Sequence, residues 1–135
     1  MSTERPRSLY EAIGGEGRVR EILQALYDRL FEDPIVGFLF EGKDKAHIVR
    51  QQVAFTCRFL GGPQVYEGLS LPAAHAKLPL LPGHFDRRHR LLEQVLGERE
   101  VPADVKRVWL QIDQALRPSV LASAEEAREK TRERE

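Results

Sequence analysis

The stretch VREILQALYDRLF, residues 19–31, decides the fold class of this chain. Its apolar side chains recur every three or four residues over three turns, which is the spacing of one face of a helix. The members of that face are Val19, Ile22, Leu23, Leu26, Tyr27, Leu30 and Phe31. Asp33-Pro34 follows and ends the helix, because proline cannot extend a helix and pushes its predecessor out of the α region. The stretch therefore predicts a long amphipathic helix.

The other apolar runs also have helical spacing. Ser8-Leu9-Tyr10-Glu11 fits a capping box that begins a short helix, and Gly14-Gly15 ends it. Further helices are predicted over residues 44–60, 83–96 and 102–118, with a short helical segment around residue 75. The predicted inner face of the first of these is Ile48, Gln52, Phe55, Thr56 and Phe59, and that of the last is Val105, Val108, Trp109, Ile112 and Leu116. No alternating strand pattern competes, so we predict an all-α fold.

Length and composition exclude several classes of protein. With 135 residues the chain is long enough for one domain, and its 21 basic and 21 acidic residues cancel, which argues against a nucleic-acid partner. No run reaches the ~18–20 apolar residues of a membrane span. The single cysteine, Cys57, excludes an internal disulfide framework and a Cys-x-x-Cys motif. The first seven residues lack the apolar core of a signal peptide, so we expect the protein in the reducing cytoplasm.

The extent of the helical apolar pattern also indicates the domain boundaries. We assign residues 8–121 to one helical domain and residues 1–7 to an N-terminal extension. Residues 122–135 are highly charged and lack an apolar face, so we expect a tail that is either frayed helix or disordered.

Three polar side chains lie on otherwise apolar helix faces. Tyr27 is on the first long stripe, Gln52 on the second, and His75 on the short stripe Leu71, Ala74, His75 and Leu78. Taken alone, His75 and Tyr27 are each interpreted as ordinary core residues with a satisfied hydrogen bond. An inward glutamine must satisfy an acceptor and two donors, so for Gln52 a core role and a functional role are equally consistent. Together, an imidazole and a phenol–amide pair around an apolar cavity suit a cofactor with an open coordination site. Histidine is the usual protein ligand of haem iron, and the pair would donate hydrogen bonds to a diatomic ligand.

The remaining candidates carry weaker signals. His84 and His89 are five residues apart, which is poor geometry for sharing a metal, and His47 faces either a cavity or solvent. The run Arg87-Arg88-His89-Arg90 suggests an anionic partner, although a solvated helix face is the simpler interpretation. Cys57 is interpreted as a packed thiol.

Taken in chain order, these features resemble the truncated haemoglobins, the short two-over-two helical globins. The residues that carry the resemblance are Leu9-Tyr10-Glu11-Ala12-Ile13-Gly14-Gly15, Tyr27-Asp28-Arg29-Leu30 with Asp33-Pro34, Phe38-Leu39-Phe40, Gln52 and Phe55 with Leu60-Gly61-Gly62-Pro63, and Ala73-Ala74-His75 followed by His84-Phe85-Asp86. The resemblance spans about residues 8–121, and its group I branch looks closest. It implies a two-over-two helical sandwich around haem.

The resemblance also implies roles for individual residues. His75 would be the proximal ligand of a non-covalent haem b, Tyr27 would hydrogen-bond the bound ligand, and Gln52 would be its partner. Phe40 would stack on the porphyrin and Ile48 would occupy the distal gate position. Further cofactor contacts are assigned to His47, Phe55, Tyr66, Leu78 and Arg88.

Two of these positions depart from the family pattern. Arg88 falls near an inward position that many relatives fill with an apolar residue or tryptophan. Either the register of this helix differs from the family's, or the arginine extends past the apolar surface toward a haem propionate. His47 lies one residue from the gate position and becomes a sixth iron ligand if its helix shifts by a fraction of a turn.

The resemblance implies reversible binding of O2, NO and CO, with oxygen transport or conversion of NO to nitrate as the outcome. The second reaction makes the protein a nitric oxide dioxygenase and calls for a reductase; we expect a monomer or a weak dimer. Alternatives within haem chemistry are a ligand carrier, a sensor or a peroxidase-like redox protein. The alternative from another class is a haem-free helical interaction domain.

Overall fold

The computed structural model describes residues 8–68, 70, 74–75 and 78–122, and it forms them into helices joined by turns. The helices are α1 (Leu9–Ile13), α2 (Glu16–Glu32), a 3-10 helix (Gly37–Phe40), α3 (Lys45–Phe59), α4 (Pro82–Glu98) and α5 (Ala103–Ala115). Ala74 and His75 are helical, as are residues 117–122. The described residues contain no strand, which confirms the all-α prediction. The predicted extension at residues 1–7 and the tail from residue 123 lie outside the described residues.

Local side-chain chemistry sets the helix ends where the sequence predicts them. The Ser8 hydroxyl accepts a hydrogen bond from the Glu11 amide at 3.1 Å and begins α1. Gly14, with φ of 110°, ends that helix in the left-handed conformation that glycine adopts readily. The Asp44 carboxylate accepts from the His47 amide at 3.1 Å and begins α3. These boundaries agree with the predicted ones within one or two residues.

The helices pack as two pairs. α2 packs on α3, α4 packs on α5, and the pairs meet where α2 contacts α4. Fully buried side chains from both pairs fill the space between them, among them Ile22, Leu26, Val53, Leu92 and Val105. None of the helices among the described residues is long and apolar enough to span a membrane.

The inner face predicted for α3 is partly wrong. The buried side chains of this helix are Val49, Val53, Thr56 and Cys57, whereas Ile48, Gln52, Phe55 and Phe59 are only half-buried. The helix therefore has two inward faces, one against the core and one beside it. Ile48, Gln52 and Phe55 on the second face border a cavity.

The inner face of α5 also differs from the prediction. Val105 and Trp109 are buried as expected, but the third buried residue is Asp113. Val108, Ile112 and Leu116 are half-buried. The helix ends at Ala115 rather than at Pro118, and helical structure resumes at residue 117.

Candidate functional site

A cavity of about 520 Å³ opens between α2, the 3-10 helix, α3, α4 and the segment that carries His75. All ten residues that the sequence proposes for the site line it, namely Tyr27, Phe40, His47, Ile48, Gln52, Phe55, Tyr66, His75, Leu78 and Arg88. A cavity of this size, largely apolar with a few convergent polar groups, is typical of a cofactor site.

Aromatic packing positions one apolar side of the cavity. The Phe40 ring stacks on Phe31, with centroids 4.8 Å apart, and meets the Tyr27 ring edge-on at 6.0 Å. The 3-10 helix can approach α2 this closely because its first residue is Gly37, where an added Cβ would lie 2.9 Å from the Phe31 carbonyl oxygen. The corner after α2 thus places Phe40 beside Tyr27.

The structure brings Tyr27, Gln52 and Arg88 together at the cavity. Arg88 Nη2 donates to the Tyr27 hydroxyl oxygen at 3.3 Å and to Gln52 Oε1 at 3.5 Å. The Arg88 guanidinium also lies over the Tyr27 ring, 5.7 Å from its centroid. Tyr27 is only 3% exposed. One guanidinium therefore joins the phenol from α2 to the amide from α3.

Asp113 on α5 holds the other side of this guanidinium. Arg88 Nη1 donates to Asp113 Oδ1 at 2.9 Å, and His89 Nδ1 lies 2.7 Å from Asp113 Oδ2. Burial opposes the charge of Arg88, yet Tyr27 and Asp113 raise its pKa above the ordinary value. Burial alone would raise the pKa of Asp113, but Arg88 and His89 lower it; the bond to Asp113 raises the pKa of His89. One carboxylate therefore serves two cationic side chains.

The predicted solvated basic face is wrong for three of its four residues. Arg88 and His89 bond to Asp113, and Arg87 donates to Asp33 Oδ1 at 2.7 Å. Only Arg90 is exposed. The polar contacts of Arg88 are with Tyr27, Gln52 and Asp113, whereas the sequence suggested a contact with a haem propionate.

The histidines at the cavity differ in their surroundings. His75 is half-buried, while His47 is exposed and marks the rim. His84 Nδ1 accepts from the Leu81 amide at 3.0 Å, and its ring meets Phe38 edge-on at 5.4 Å. Through that hydrogen bond the imidazole of His84 caps the beginning of α4.

Sequence reasoning missed several polar residues at the site, among them Asp113 and Lys43. Asp113 follows Val105 and Trp109 at intervals of four residues, so its place on the buried stripe of α5 was visible in the spacing. Lys43 is an exposed residue of the cavity lining, and a single lysine in a turn carries no pattern. Cys57 is buried as predicted, and burial raises its pKa to about 11, so it stays a thiol.

Comparison with known proteins places the chain in a family. The sequence profile described as "Bacterial-like globin" matches residues 8–122. A group 1 truncated hemoglobin of Tetrahymena pyriformis is 33% identical over 82 residues, covering 61% of this chain and 68% of the relative. The group 1 truncated hemoglobin GlbN of Nostoc sp. is 31% identical over 97 residues, covering 72% and 82%.

The solved structures agree with the sequence relatives. The 2/2 hemoglobin of Synechococcus, whose structure holds a covalently attached haem, has a TM-score of 0.81 at 30% identity and covers 86% of this chain and 99% of that one. The hemoglobin of Chloroflexus aurantiacus has a TM-score of 0.76 at 28% identity, covering 85% and 98%. Globins bind haem and small diatomic ligands such as O2. This chain is a member of the bacterial-like globin family, and within it of the group I truncated haemoglobins.

Proposed function

We propose that this chain binds haem b non-covalently in the cavity, with His75 as the iron ligand, and reversibly binds O2, NO and CO. One observation carries the proposal: an imidazole lines the same largely apolar cavity as a phenol and an amide that both accept hydrogen bonds from one guanidinium. Family membership supports it independently.

The residues present fit a haem group. The apolar lining offers contacts to a flat macrocycle through Phe40, Ile48, Phe55, Leu78, Leu80 and Phe85. Lys43 and His47 are exposed members of the lining, so they can pair at the rim with the two carboxylates of the group. Haem, when bound, supplies an iron with an open position for a small ligand.

Tyr27 and Gln52 are suited to hold that ligand. Their contacts with Arg88 use the hydroxyl oxygen and the amide oxygen. The hydroxyl proton and the amide N–H remain as the groups with which each residue can donate. Both donors are preorganised beside an apolar space, so they stabilise negative charge that builds on a gas ligand and slow its release.

Absorption spectra of two histidine variants test the cofactor and its ligand together. We expect purified protein to show a Soret band that His75→Ala abolishes or strongly shifts. His84→Ala is the matched control, because His84 lines the same cavity but caps α4, and it should leave the band unchanged. A colourless protein that folds fully without haem would instead establish the haem-free interaction domain.

Conversion of NO to nitrate is the finer part of the proposal. Bound haem would supply from ferrous iron the one electron with which NO and O2 form nitrate, and a reductase would return that electron. Donors that hold O2 in place, as Tyr27 and Gln52 are proposed to do, favour this reaction over simple release of O2. Stopped-flow mixing of the O2-loaded protein with NO should give rapid oxidation to the ferric form with one nitrate for each NO. Slow oxidation of the O2-loaded protein would instead favour a role as a ligand carrier or a sensor.

A further inference from the structure

Arg88 adds a permanent positive charge to the wall formed by Tyr27 and Gln52. A guanidinium stays protonated at any pH at which a protein is folded. The side chain of Arg88 is 22% exposed, so most of it is withdrawn from water. Its Nη2 contacts both ligand-holding candidates, so the charge lies within hydrogen-bond distance of the groups proposed to touch the ligand.

The counterion of Arg88 does not face the ligand space. Among the described residues, Arg88 lines the cavity and Asp113 does not. Asp113 also divides its two oxygens between Arg88 and His89, so protonation of His89 leaves the cluster with one positive charge in excess. Among the lining residues that the structure describes, one is acidic, Glu67, and it is exposed, as is Lys43. Charges in contact with water are screened, whereas that of Arg88 is screened much less.

We propose that Arg88 is a specificity-determining residue that makes the ligand pocket favour small monovalent anions, such as fluoride, azide and nitrite, over neutral ligands of similar size. The inference rests on the proposed function, because the haem iron is the point at which such an anion attaches. Hydrogen bonds in which one partner is charged are roughly twice as strong as neutral ones. A guanidinium beside a phenol and an amide therefore raises the affinity for a ligand that carries a full negative charge.

Anion titrations of the ferric holoprotein test the proposal. Fluoride and azide are added to the unmodified protein, to Arg88→Met and to Arg87→Met, and binding is followed in the absorption spectrum. Arg87→Met is the matched control, since Arg87 precedes Arg88 on α4 but bonds to Asp33. We expect Arg88→Met to lower anion affinity by at least about tenfold. Arg87→Met should bind anions as the unmodified protein does, and the affinity of ferrous Arg88→Met for CO should change far less.

Equal anion affinities in Arg88→Met and the unmodified protein would overturn the inference. The proposed function would still stand in that case if the Soret band were intact. A missing Soret band in the unmodified protein would refute both. If Arg88→Met does not fold, Arg88→Lys and Arg88→Gln give the same comparison, because both keep a polar side chain beside Asp113 and only the first keeps the charge. Ferric Arg88→Lys should bind fluoride more tightly than ferric Arg88→Gln, and equal affinities would overturn the inference.

Discussion

Arg87 and Arg88 are neighbours on α4, and each forms an ion pair with an aspartate, but the two pairs have different roles. Both side chains are half-buried, and each forms an ion pair with a nearly buried aspartate. Arg87 pairs with Asp33, which follows α2, and Arg88 pairs with Asp113 on α5. Consecutive residues lie about 100° apart around a helix, so the two side chains leave α4 in different directions. Arg88 lines the cavity, and Arg87 is not among the described residues that do.

The further contacts of each ion pair explain why the two arginines have different roles. The Asp33 carboxylate also accepts hydrogen bonds from the Ile35 and Val36 amides, at 3.0 and 3.1 Å, and so fixes the corner that leads to Phe40. The Arg87 guanidinium lowers the pKa of Asp33, which keeps the acceptor charged. The Arg88 pair instead continues into Tyr27 and Gln52. The first pair stabilises the fold, and the second prepares the ligand site.

The largest predicted effect is that of Asp113→Ala on stability. The change removes the carboxylate that neutralises Arg88 and bonds to His89, which leaves a buried cation without its partner. Loss of one member of such a pair costs about 3–5 kcal/mol, and we expect a fall of that size in the free energy of unfolding. Chemical denaturation of the holoprotein measures it. A loss of less than about 1 kcal/mol would mean that the pair is solvated.

Asp33→Ala should have a smaller effect on stability and none on ligand specificity. It removes the acceptor for two backbone amides and for Arg87, for which we expect a loss of about 2 kcal/mol in the free energy of unfolding. The same denaturation experiment gives the value, and a fluoride titration of the ferric form gives the specificity. If fluoride affinity falls as far as in Arg88→Met, the two pairs do not have separate roles.

The smallest effect expected is a pH dependence from His89. Its pKa is raised by the bond to Asp113, with Glu93 adding to the rise and Arg88 opposing it. A group whose pKa is higher in the folded state stabilises that state fully at pH values below its unfolded-state pKa of about 6.5. This stabilisation is lost as the pH rises through the folded-state pKa. The free energy of unfolding should therefore decline above about pH 6.5, by less than the loss expected for Asp33→Ala. His89→Gln should remove this decline, and an identical pH profile in that variant would contradict the assignment.

The sequence predicts features that depend on neighbours along the chain. Ser8, Asp44 and Gly14 set helix ends through hydrogen bonds that reach four residues or fewer, so the sequence predicts their roles. Helical periodicity gives the apolar stripes that carry Tyr27, Gln52 and His75 and so groups the three residues. The family resemblance supplied their individual roles.

Features that depend on tertiary partners were not predictable in this way. Arg88 and Asp113 are 25 residues apart and pair only because α4 packs on α5. A run of basic residues is interpreted as a solvated face until the partner carboxylates are known. Likewise, α3 has two inward faces because a cavity lies beside the core, and periodicity alone does not distinguish a cavity from packed side chains.

The decisive measurement is the rate of O2 dissociation from Tyr27→Phe, because the proposed function requires the buried tyrosine on α2 to donate a hydrogen bond to the bound gas. The change removes only the hydroxyl, and Arg87→Met serves as a control outside the cavity. We predict at least about a tenfold faster release in Tyr27→Phe, as expected for loss of one hydrogen bond to a partly charged ligand. Release at the rate of the unmodified protein would contradict the claim and would mean that Tyr27 serves only to pack Phe40 and hold Arg88.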